Sequence, residues 1–531
     1  MTTETSIYEY AKQGLALSAD KPAIWFYGKS ITYRELFEKI DNVADHLYAL
    51  GVREGTVVTI HLPNCPQAVM AIYAVAKLGG ICNMVHALTP EKDIKENMVL
   101  TESVFLVTHL EVRDSALPER IKSIVVDLAA HMGLLYKYGY WIRYGRRFTG
   151  LPFDELETEC GEKALISDPV KLSTKCLFYL HSSGTEGTPK IVMHSHLSIN
   201  SWEADADEYY KNWNQTGRRI YCVLPYFHGF GLVTGLHHGM VNKMEQIIVS
   251  KFSAKETVKL LHKTRANVII GTPALYEKLM REPGFTSEYL PYLNECTVGG
   301  DRADESLFGD YDRRLDPTGE RKFLFEGYGL TEVISAASYN NAHFSYRRGS
   351  AGKLLPGIDA RVRNDGNISR SGDGELLLSG NTMMMGYYKS QEQPFIEYEG
   401  KKWLPTGDLG RVDEEGFIYC TGRLKDIIIH NGYNVFPGRI ESVISRTELV
   451  EESCVTGENE GCSSTQCVVA WIVPKTGVSR QDVLSAIKTI CEEELLPFER
   501  PGQVRFIPEL PRNDMRKVDK SALRKCKWET V

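Results

Sequence analysis

Ten residues, 181–190, combine the side chains and the backbone freedom that a polyphosphate requires. They read HSSGTEGTPK and lie between two apolar runs, 176–180 and 191–193, which predict buried strands. Glycines let the backbone turn its N–H groups toward an anion, hydroxyls add donors, and Lys190 adds a positive charge. A Walker loop differs, because it requires Gly-Lys-Ser/Thr followed by a helix. The segment therefore predicts a phosphate-binding loop of another kind; on composition alone, a polar surface turn is the alternative.

Residues 182–190 resemble the AMP-binding signature of the adenylate-forming superfamily. This superfamily includes acyl-CoA synthetases, aryl-CoA ligases, firefly luciferase and peptide-synthetase adenylation domains. Glu186 stands where Thr is more usual. The resemblance implies that Thr185 also takes part in catalysis and contacts the metal. The implied ATP- or AMP-binding residues of this loop are Ser182, Ser183, Gly184, Thr185, Glu186, Gly187 and Lys190.

A second segment, residues 326–332, reads EGYGLTE and resembles the Tyr-Gly-x-Thr-Glu motif of the superfamily. The resemblance implies that Tyr328 stacks on adenine with Gly329 beside it, and that Thr331 contacts the α-phosphate. Glu332 is implied to be catalytic and to hold Mg²⁺. A carboxylate suits this role because a hard cation that bridges phosphates prefers oxygen ligands.

The carboxylic acid is expected to lie near residues 224–231, LPYFHGFG, which resemble the acyl-site segment of CoA ligases and luciferases. By that resemblance His228 is catalytic and closes the pocket around the carboxylate, and Gly299 and Gly300 border the acyl group, with Gly300 also against the adenine. Peptide-synthetase domains usually carry an Asp that pairs with the substrate's amino group, but residues 225–239 contain no Asp. Since an unpaired buried ammonium is costly, the sequence favours a fatty or aromatic acid.

Further residues of the nucleotide site are implied near the end of the large domain. Asp408, in the sequence TGD at 406–408, is expected to bind the ribose hydroxyls, because a carboxylate accepts two parallel hydrogen bonds. Arg423 is expected to reach the nucleotide. Lys425 occupies the hinge position about which the last domain turns, and Gly432 lies in the loop that lines the pantetheine tunnel.

Near the end of the chain, residues 511–523 resemble the terminal Asn-Gly-Lys-Val-Asp-Arg type of motif. Lys517 takes the place of the catalytic lysine. Arg516 replaces the usual Gly, whose backbone angles Arg resists. This departure lends weight to one alternative, a degenerate nucleotide-binding module.

The elements that must position these residues alternate between helix and strand. Thr32 and Glu35 form a predicted capping box, helical spacing follows until Gly51, and 56–62, 67–78 and 104–108 predict strand, helix and strand. This alternation indicates layered α/β structure with a largely parallel sheet. With the resemblance, the expected fold is a large N-terminal domain of layered α/β sheets plus a small distorted β-barrel, residues 1–424, followed by a small mobile α+β C-terminal domain, residues 425–531.

Composition limits the class of protein. The chain has 531 residues, 43% of them hydrophobic and 25% charged, as in an ordinary soluble protein. Its net charge of −7 gives no support for nucleic-acid binding. The 12 cysteines form no Cys-x-x-Cys pair, the N-terminus does not resemble a signal peptide, and no long apolar run predicts a transmembrane helix. We therefore expect a cytoplasmic protein.

Residues 136–147 are unusual because five aromatic and four basic side chains alternate within them. One interpretation is a surface that touches a membrane or a carrier protein. The other, which we favour on sequence, is an amphipathic helix whose aromatic side chains pack on the body of the protein.

The motifs together predict an ATP-dependent acid–thiol ligase that uses Mg²⁺ and coenzyme A. A carboxylate would attack the α-phosphorus of ATP to give acyl-AMP, and a thiol would then attack the acyl group. The alternatives are an adenylation enzyme that loads the phosphopantetheine of a separate carrier protein, luciferase-type oxidation of the adenylate, and the non-enzymatic module.

Overall fold

The computed structural model describes residues 2–109, 121–144, 150–182, 190–209, 217–301, 303, 305–318, 324–341, 345–431, 433–459, 466–512, 518–523 and 525. Its helices are α1 Ile7–Lys12, α2 Tyr33–Leu50, α3 Pro66–Lys77, α4 Glu91–Leu100, α5 Leu134–Tyr144, α6 Phe153–Leu156, α7 Pro169–Leu172, α8 His196–Tyr209, α9 His238–Val241, α10 Ala254–Thr264, α11 Pro273–Met280, α12 Glu305–Leu315, α13 Pro437–Ile444, α14 Arg480–Glu494 and α15 Lys520–Leu523. A π-helix spans Phe230–His237, and short 3₁₀ turns include Thr331–Val333 and Leu424–Asp426.

The first large sheet has the order β16-β15-β14-β13-β12-β10-β11-β1-β2. Its strands from β14 to β1 run parallel, and antiparallel strands close both edges. The strands are β1 Pro22–Phe26, β2 Lys29–Thr32, β10 Arg219–Cys222, β11 Glu245–Ile248, β12 Val268–Gly271, β13 Glu295–Val298, β14 Leu324–Gly329, β15 Ala336–Asn340 and β16 Lys353–Leu354.

The second large sheet has the order β20-β9-β8-β4-β3-β5-β6-β7 and is parallel from β8 to β7. The largely parallel arrangement predicted from the alternating pattern is therefore confirmed. Its strands are β3 Val57–His61, β4 Ile81–Met84, β5 Phe105–Thr108, β6 Lys122–Val125, β7 Leu151–Pro152, β8 Cys176–His181, β9 Ile191–Ser195 and β20 Gly386–Tyr387.

A curled antiparallel sheet of order β18-β17-β19-β22-β21, with β23 on β22, stands where the small barrel was predicted. Two smaller sheets, β24-β25 and β26-β27-β28, pack with α13 and α14 into a core of their own near the end of the chain. The expected fold class is thus confirmed. The strands are β17 Ile358–Asn364, β18 Asn367–Ser369, β19 Gly372–Gly380, β21 Ile396–Tyr398, β22 Lys401–Val412, β23 Ile418–Arg423, β24 Ile428–His430, β25 Tyr433–Val435, β26 Val450–Asn459, β27 Gln466–Pro474 and β28 Gln503–Phe506.

Local sequence explains several of these elements. The Thr32 side chain accepts the N–H of Glu35, and the Glu35 carboxylate accepts the N–H of Thr32, so the predicted capping box begins α2. Gly51 ends that helix with φ of 111°, which glycine adopts without steric cost. Every residue of α3 is buried, and the helix belongs to the core that both large sheets share. Among the helices that are described, none has the length and apolarity to cross a bilayer.

Candidate nucleotide and acyl site

The predicted phosphate loop leaves β8 and returns on β9, which pair in antiparallel register. The N–H of Ser182 donates to the carbonyl of Lys190 over 2.9 Å and closes the base of the loop. On its other side β9 pairs with β20, so both neighbours hold the returning strand in place. Residues 183–189 lie outside the described residues.

Glu332 and Lys190 meet at the same tyrosine. The hydroxyl of Tyr387 donates to Oε1 of Glu332 over 3.0 Å, and Nζ of Lys190 lies 4.7 Å from the centre of the Tyr387 ring. Lys190 also forms a 2.5 Å ion pair with Glu392. The structure therefore brings the end of the predicted phosphate loop next to the predicted metal ligand.

The turn that carries Thr331 and Glu332 is fixed from both sides. Nε2–H of His194, on β9, donates to the carbonyl of Thr331 over 2.7 Å. Burial lowers the pKa of His194 to about 4, so this imidazole is neutral at pH 7. The N–H of Met384 donates to the carbonyl of Glu332 over 2.8 Å. Gly329 is required here, because a Cβ at this position would lie 1.9 Å from the carbonyl oxygen of Ser335.

The predicted adenosine residues also meet. The hydroxyl of Tyr328 donates to Oδ2 of Asp408 over 2.8 Å, and Nε of Arg423 lies 2.8 Å from Oδ1. Burial, followed by the nearby Asp408 carboxylate, raises the pKa of Tyr328 well above its usual value. The pairing of Asp408 with Arg423 across β22 and β23 fixes their spacing. Asp408 is thus a buried carboxylate that already accepts hydrogen bonds from two directions.

The predicted acyl segment contacts the same turn at one residue, Gly229. Gly229, next to His228, must be glycine because a Cβ would lie 1.7 Å from the carbonyl oxygen of Ile334. Nδ1 of His228 accepts the N–H of Phe230 over 3.2 Å. A Cβ on Gly299 would lie 3.4 Å from the Phe230 ring. Gly300 follows with φ of +83° and 3.7 Å between its Cβ position and Cγ2 of Thr272.

The remaining predicted residues belong to the end of the chain. Lys425 is exposed on the turn Leu424–Asp426. The neighbouring Asp426 forms a 2.7 Å ion pair with Lys520 at the start of α15. Seven predicted site residues lie outside the described residues: Ser183, Gly184, Thr185, Glu186, Gly187, Gly432 and Lys517. Arg516 lies outside them as well.

The donor set at Glu332 fits a Mg²⁺ ion that is shared with a polyphosphate. In phosphate sites Mg²⁺ takes one or two carboxylates and completes its octahedral shell with phosphate oxygens and waters. Where the chain is described, no group of three or more His, Cys, Asp or Glu side chains forms a closed metal site. One carboxylate beside the phosphate loop is therefore the expected protein contribution.

Sequence reasoning missed several side chains that hold the site together. Tyr387 links Lys190 to Glu332, His194 binds the turn at Thr331, and Glu375 accepts the N–H of Gly407 over 3.1 Å. Gly386, next to Tyr387, was a weak signal for the first of them. His194 and Glu375 carry no local pattern, because their partners are distant in sequence.

Comparison with known proteins gives the family. Residues 12–388 match the family described as AMP-binding enzyme, and residues 439–517 match the AMP-binding enzyme C-terminal domain. The chain is 26% identical over 516 residues to a long-chain-fatty-acid–CoA ligase of Bacillus subtilis, covering 94% of this chain and 90% of that protein. It is 26% identical over 508 residues to a 2-succinylbenzoate–CoA ligase of Oceanobacillus iheyensis, with 94% and 96% covered.

Among solved structures, ATP-bound MatB from Rhodopseudomonas palustris superposes with a TM-score of 0.82. That structure is 24% identical, and 99% of each chain is covered, so it supports the fold. The first match spans most of the chain and includes the segments that carry Lys190, Tyr328 and Glu332, whereas Asp408 and Arg423 lie between the two matched ranges. The chain therefore belongs to the AMP-binding enzymes of the adenylate-forming superfamily.

Proposed function

We propose that the protein is an ATP-dependent acid–CoA ligase that forms an acyl adenylate and then an acyl thioester. The observation that carries this proposal is the meeting of a phosphate-loop lysine, Lys190, with a carboxylate, Glu332, beside the pair formed by Tyr328 and Asp408. This arrangement supplies a cation, a metal ligand and a ribose acceptor from segments that contact one another. Gly229, next to His228, packs against the turn that carries Glu332, and Gly299 lies beside the Phe230 ring.

In the first step an oxygen of the carboxylic acid attacks the α-phosphorus of ATP. The new P–O bond gives acyl-AMP, and the bond to pyrophosphate breaks. No general base is required, because a carboxylate is already ionised at neutral pH. Negative charge that develops on the phosphates is stabilised by Lys190, Lys517 and the loop 182–187, with Thr331 at the α-phosphate. Mg²⁺ held by Glu332 and Thr185 supplies further charge stabilisation when bound.

In the second step the CoA thiol attacks the acyl carbon and AMP leaves. We place the domain boundary between residues 424 and 425, with Lys425 as the hinge. Rotation there would withdraw Lys517 and bring Gly432 beside the pantetheine. The position of Lys425 on an exposed 3₁₀ turn between β23 and β24 supports this role, because a short turn can change its backbone angles without breaking a strand or a helix.

We propose a fatty or aromatic acid as the substrate. The named relatives are ligases of a long-chain fatty acid and of an aromatic acid, 2-succinylbenzoate. Leu224, Phe230 and Ile270 form a buried apolar cluster, and the Phe230 ring borders Gly299. An apolar wall beside the expected carboxylate position favours an apolar tail and disfavours an unpaired ammonium.

The test is ATP–pyrophosphate exchange with a panel of fatty, aromatic and amino acids, followed by thioester formation with CoA. We expect exchange without CoA for at least one fatty or aromatic acid, and thioester only after CoA is added. Glu332→Gln is the matched control and should lose the exchange. Absence of exchange with every acid would support a binding module. If exchange occurs but the acyl group is transferred only to a phosphopantetheinylated carrier protein, then the carrier protein and not CoA is the acyl acceptor.

A further inference from the structure

Helix α5 presents an apolar stripe to solvent. Leu134, Tyr138 and Ile142 recur at intervals of four residues, so they lie on one face, and Leu135 lies beside them. Their exposed fractions are 74%, 60% and 87%, and that of Leu135 is 86%. Isolated exposed leucines are ordinary, but a continuous stripe along a helix of a folded protein marks a contact surface.

The opposite side of α5 is attached to the protein. Tyr140 and Trp141 pack against the main core, and Nε1 of Trp141 donates to Asp127 over 3.3 Å. The sequence interpretation that the aromatics pack on the body is therefore right for these two residues, but Tyr136 and Tyr138 are 40% and 60% exposed. The helix is thus held in place while its apolar stripe faces outward.

The charge of this region is opposite to that of the whole chain. Helix α5 contains Lys137 and Arg143 but no Asp or Glu, whereas the chain carries a net charge of −7. The nearest acidic residues in the sequence are Asp127 and Asp154, and Asp127 accepts from Trp141 on the attached side of the helix. Nζ of Lys137 lies 4.7 Å from the centre of the Trp141 ring. Long basic side chains beside an apolar stripe can reach anionic head groups while their stems stay in apolar surroundings.

We propose that α5 is an interfacial helix that docks the protein on an anionic phospholipid surface. Leu134, Leu135, Tyr138 and Ile142 enter the boundary between head groups and acyl chains, and Arg143 contacts lipid phosphates. Tyrosine and tryptophan favour this depth because their rings are apolar and their tips are polar. The basic side chains of α5 favour an anionic lipid surface as the partner, because opposite charges attract. A second molecule of this protein, docking through an apolar groove, would not explain the positive charge beside the stripe.

The experiment is co-sedimentation of the full chain with phosphatidylcholine vesicles that contain or lack about one quarter phosphatidylserine. We expect binding to the anionic vesicles that weakens between about 0.05 M and about 0.5 M NaCl. The double variant Leu135→Glu with Ile142→Glu should bind the anionic vesicles with an affinity at least roughly tenfold lower. Arg143→Gln should bind about fivefold less, the value expected for one basic residue near the surface.

Leu165→Glu is the matched control, because Leu165 is 79% exposed but lies outside α5. It should bind vesicles as the unsubstituted protein does, and all variants should keep the same thermal unfolding midpoint and the same pyrophosphate exchange without vesicles. Failure of the unsubstituted protein to bind anionic vesicles overturns the proposal. Vesicle binding by the double variant that equals binding by the unsubstituted protein also overturns it. A third contradicting result is light scattering that shows the unsubstituted protein as a dimer and the double variant as a monomer.

Discussion

Glu332 has two kinds of neighbour that together define what its carboxylate can do. Tyr387 donates a hydrogen bond to one oxygen, and the ring of the same tyrosine carries Lys190 on its face. A phenol hydroxyl orients a carboxylate without neutralising its charge. The carboxylate can therefore bind a cation while its position is fixed by a side chain that sequence motifs did not indicate.

Replacing Glu332 by Gln should slow ATP–pyrophosphate exchange by roughly 10²–10³-fold, because the amide loses the negative charge that a magnesium–phosphate site requires. Tyr387→Phe is the matched control, since it removes one hydrogen bond to the carboxylate but leaves the negative charge, and should cost about tenfold. Exchange rates at saturating Mg²⁺ measure both. Equal losses in the two variants would mean that Glu332 acts only by positioning.

Asp408 should matter for nucleotide affinity more than for turnover. Asp408→Asn replaces an oxygen acceptor by an N–H₂ group that faces Tyr328 or Arg423, so we expect the Kd for AMP to rise at least about tenfold. Tyr328→Phe keeps the ring expected to stack on adenine and should raise the Kd less. Isothermal titration with AMP measures both variants, and an unchanged Kd in Asp408→Asn would remove it from the ribose site.

Some of these residues could be named from the sequence, whereas their contacts could not. Tyr328 and Asp408 each lie in a segment that resembles a known motif, so their types and positions were predicted. Their direct hydrogen bond joins residues 80 positions apart, and nothing in either segment encodes the distance. The role of each site residue remains a prediction, and Ser183, Gly184, Thr185, Glu186, Gly187 and Lys517 also lie outside the described residues.

At the scale of elements, β9 connects three parts of the site. It pairs with β8 across the base of the phosphate loop, pairs with β20 on its other edge, and carries His194 to the turn at Thr331. Strand pairing fixes all three positions through the backbone, and so the site depends on β9 register more than on any one side chain.

Gly229→Ala should separate the acyl segment from the turn that carries Glu332. Its Cβ would lie 1.7 Å from a backbone oxygen of Ile334, which cannot rotate away as a side chain can. We expect about 1–3 kcal/mol of destabilisation and a higher KM for the acid. Gly161→Ala is the control, because no atom lies within 4 Å of its Cβ position. Urea unfolding and initial rates measure the two effects, and identical behaviour of both variants would contradict the packing argument.

Acid should destabilise the fold through the histidines buried in strands and at helix starts. Burial lowers the pKa of His196 to about 3, well below its unfolded value of about 6.5. As pH falls from about 6.5 toward 3, the unfolded chain binds a proton that the folded chain does not, so stability is present above this window and is lost within it. Other buried histidines shift in the same direction: His61 and His237 to about 3, and His181 and His194 to about 4.

His196→Gln should keep an acceptor for the N–H of Ile7, which Nδ1 of His196 accepts over 3.1 Å, but should not titrate. The slope of unfolding free energy against pH should therefore fall by up to about 1.4 kcal/mol per pH unit between pH 6.5 and 4. Urea titrations at several pH values measure this slope. Parallel curves for the two proteins would show that His196 is not the titrating group.

Local patterns predicted the elements that local forces build. The capping box of α2 and its terminal Gly51 were predicted and are confirmed. The π-helix Phe230–His237 was not predicted, since its geometry follows from tertiary packing: a Cβ on Gly231 would lie 2.3 Å from the carbonyl oxygen of Pro225. The periodicity of apolar residues in the sequence does not indicate where two backbone segments approach this closely.

At the scale of the whole molecule, a contact between charged side chains joins the large domain to the last domain. Arg281, after α11, forms an ion pair with Glu451 on β26, and the Arg281 side chain is 67% exposed. Exposed pairs of this kind contribute about 0–1 kcal/mol. A rotation that breaks the pair therefore costs little, which is compatible with two orientations of the last domain.

Two reciprocal variants should separate the half-reactions. Lys425→Pro restricts φ at the hinge, so it should retain pyrophosphate exchange while thioester formation falls at least about tenfold. Lys517→Ala should slow adenylation by roughly 10²–10³-fold and spare thioester formation from supplied acyl-AMP. Lys425→Ala, which leaves φ free, is the control. Equal losses in both half-reactions for either variant would contradict the scheme of two orientations.

The ion pair between Asp426 and Lys520 has a mechanical consequence. It fastens the residue just after the pivot to the stretch of chain just after Lys517. A rotation at the proposed hinge would therefore carry α15 with it, and with α15 the adjacent segment in which Lys517 is predicted to act.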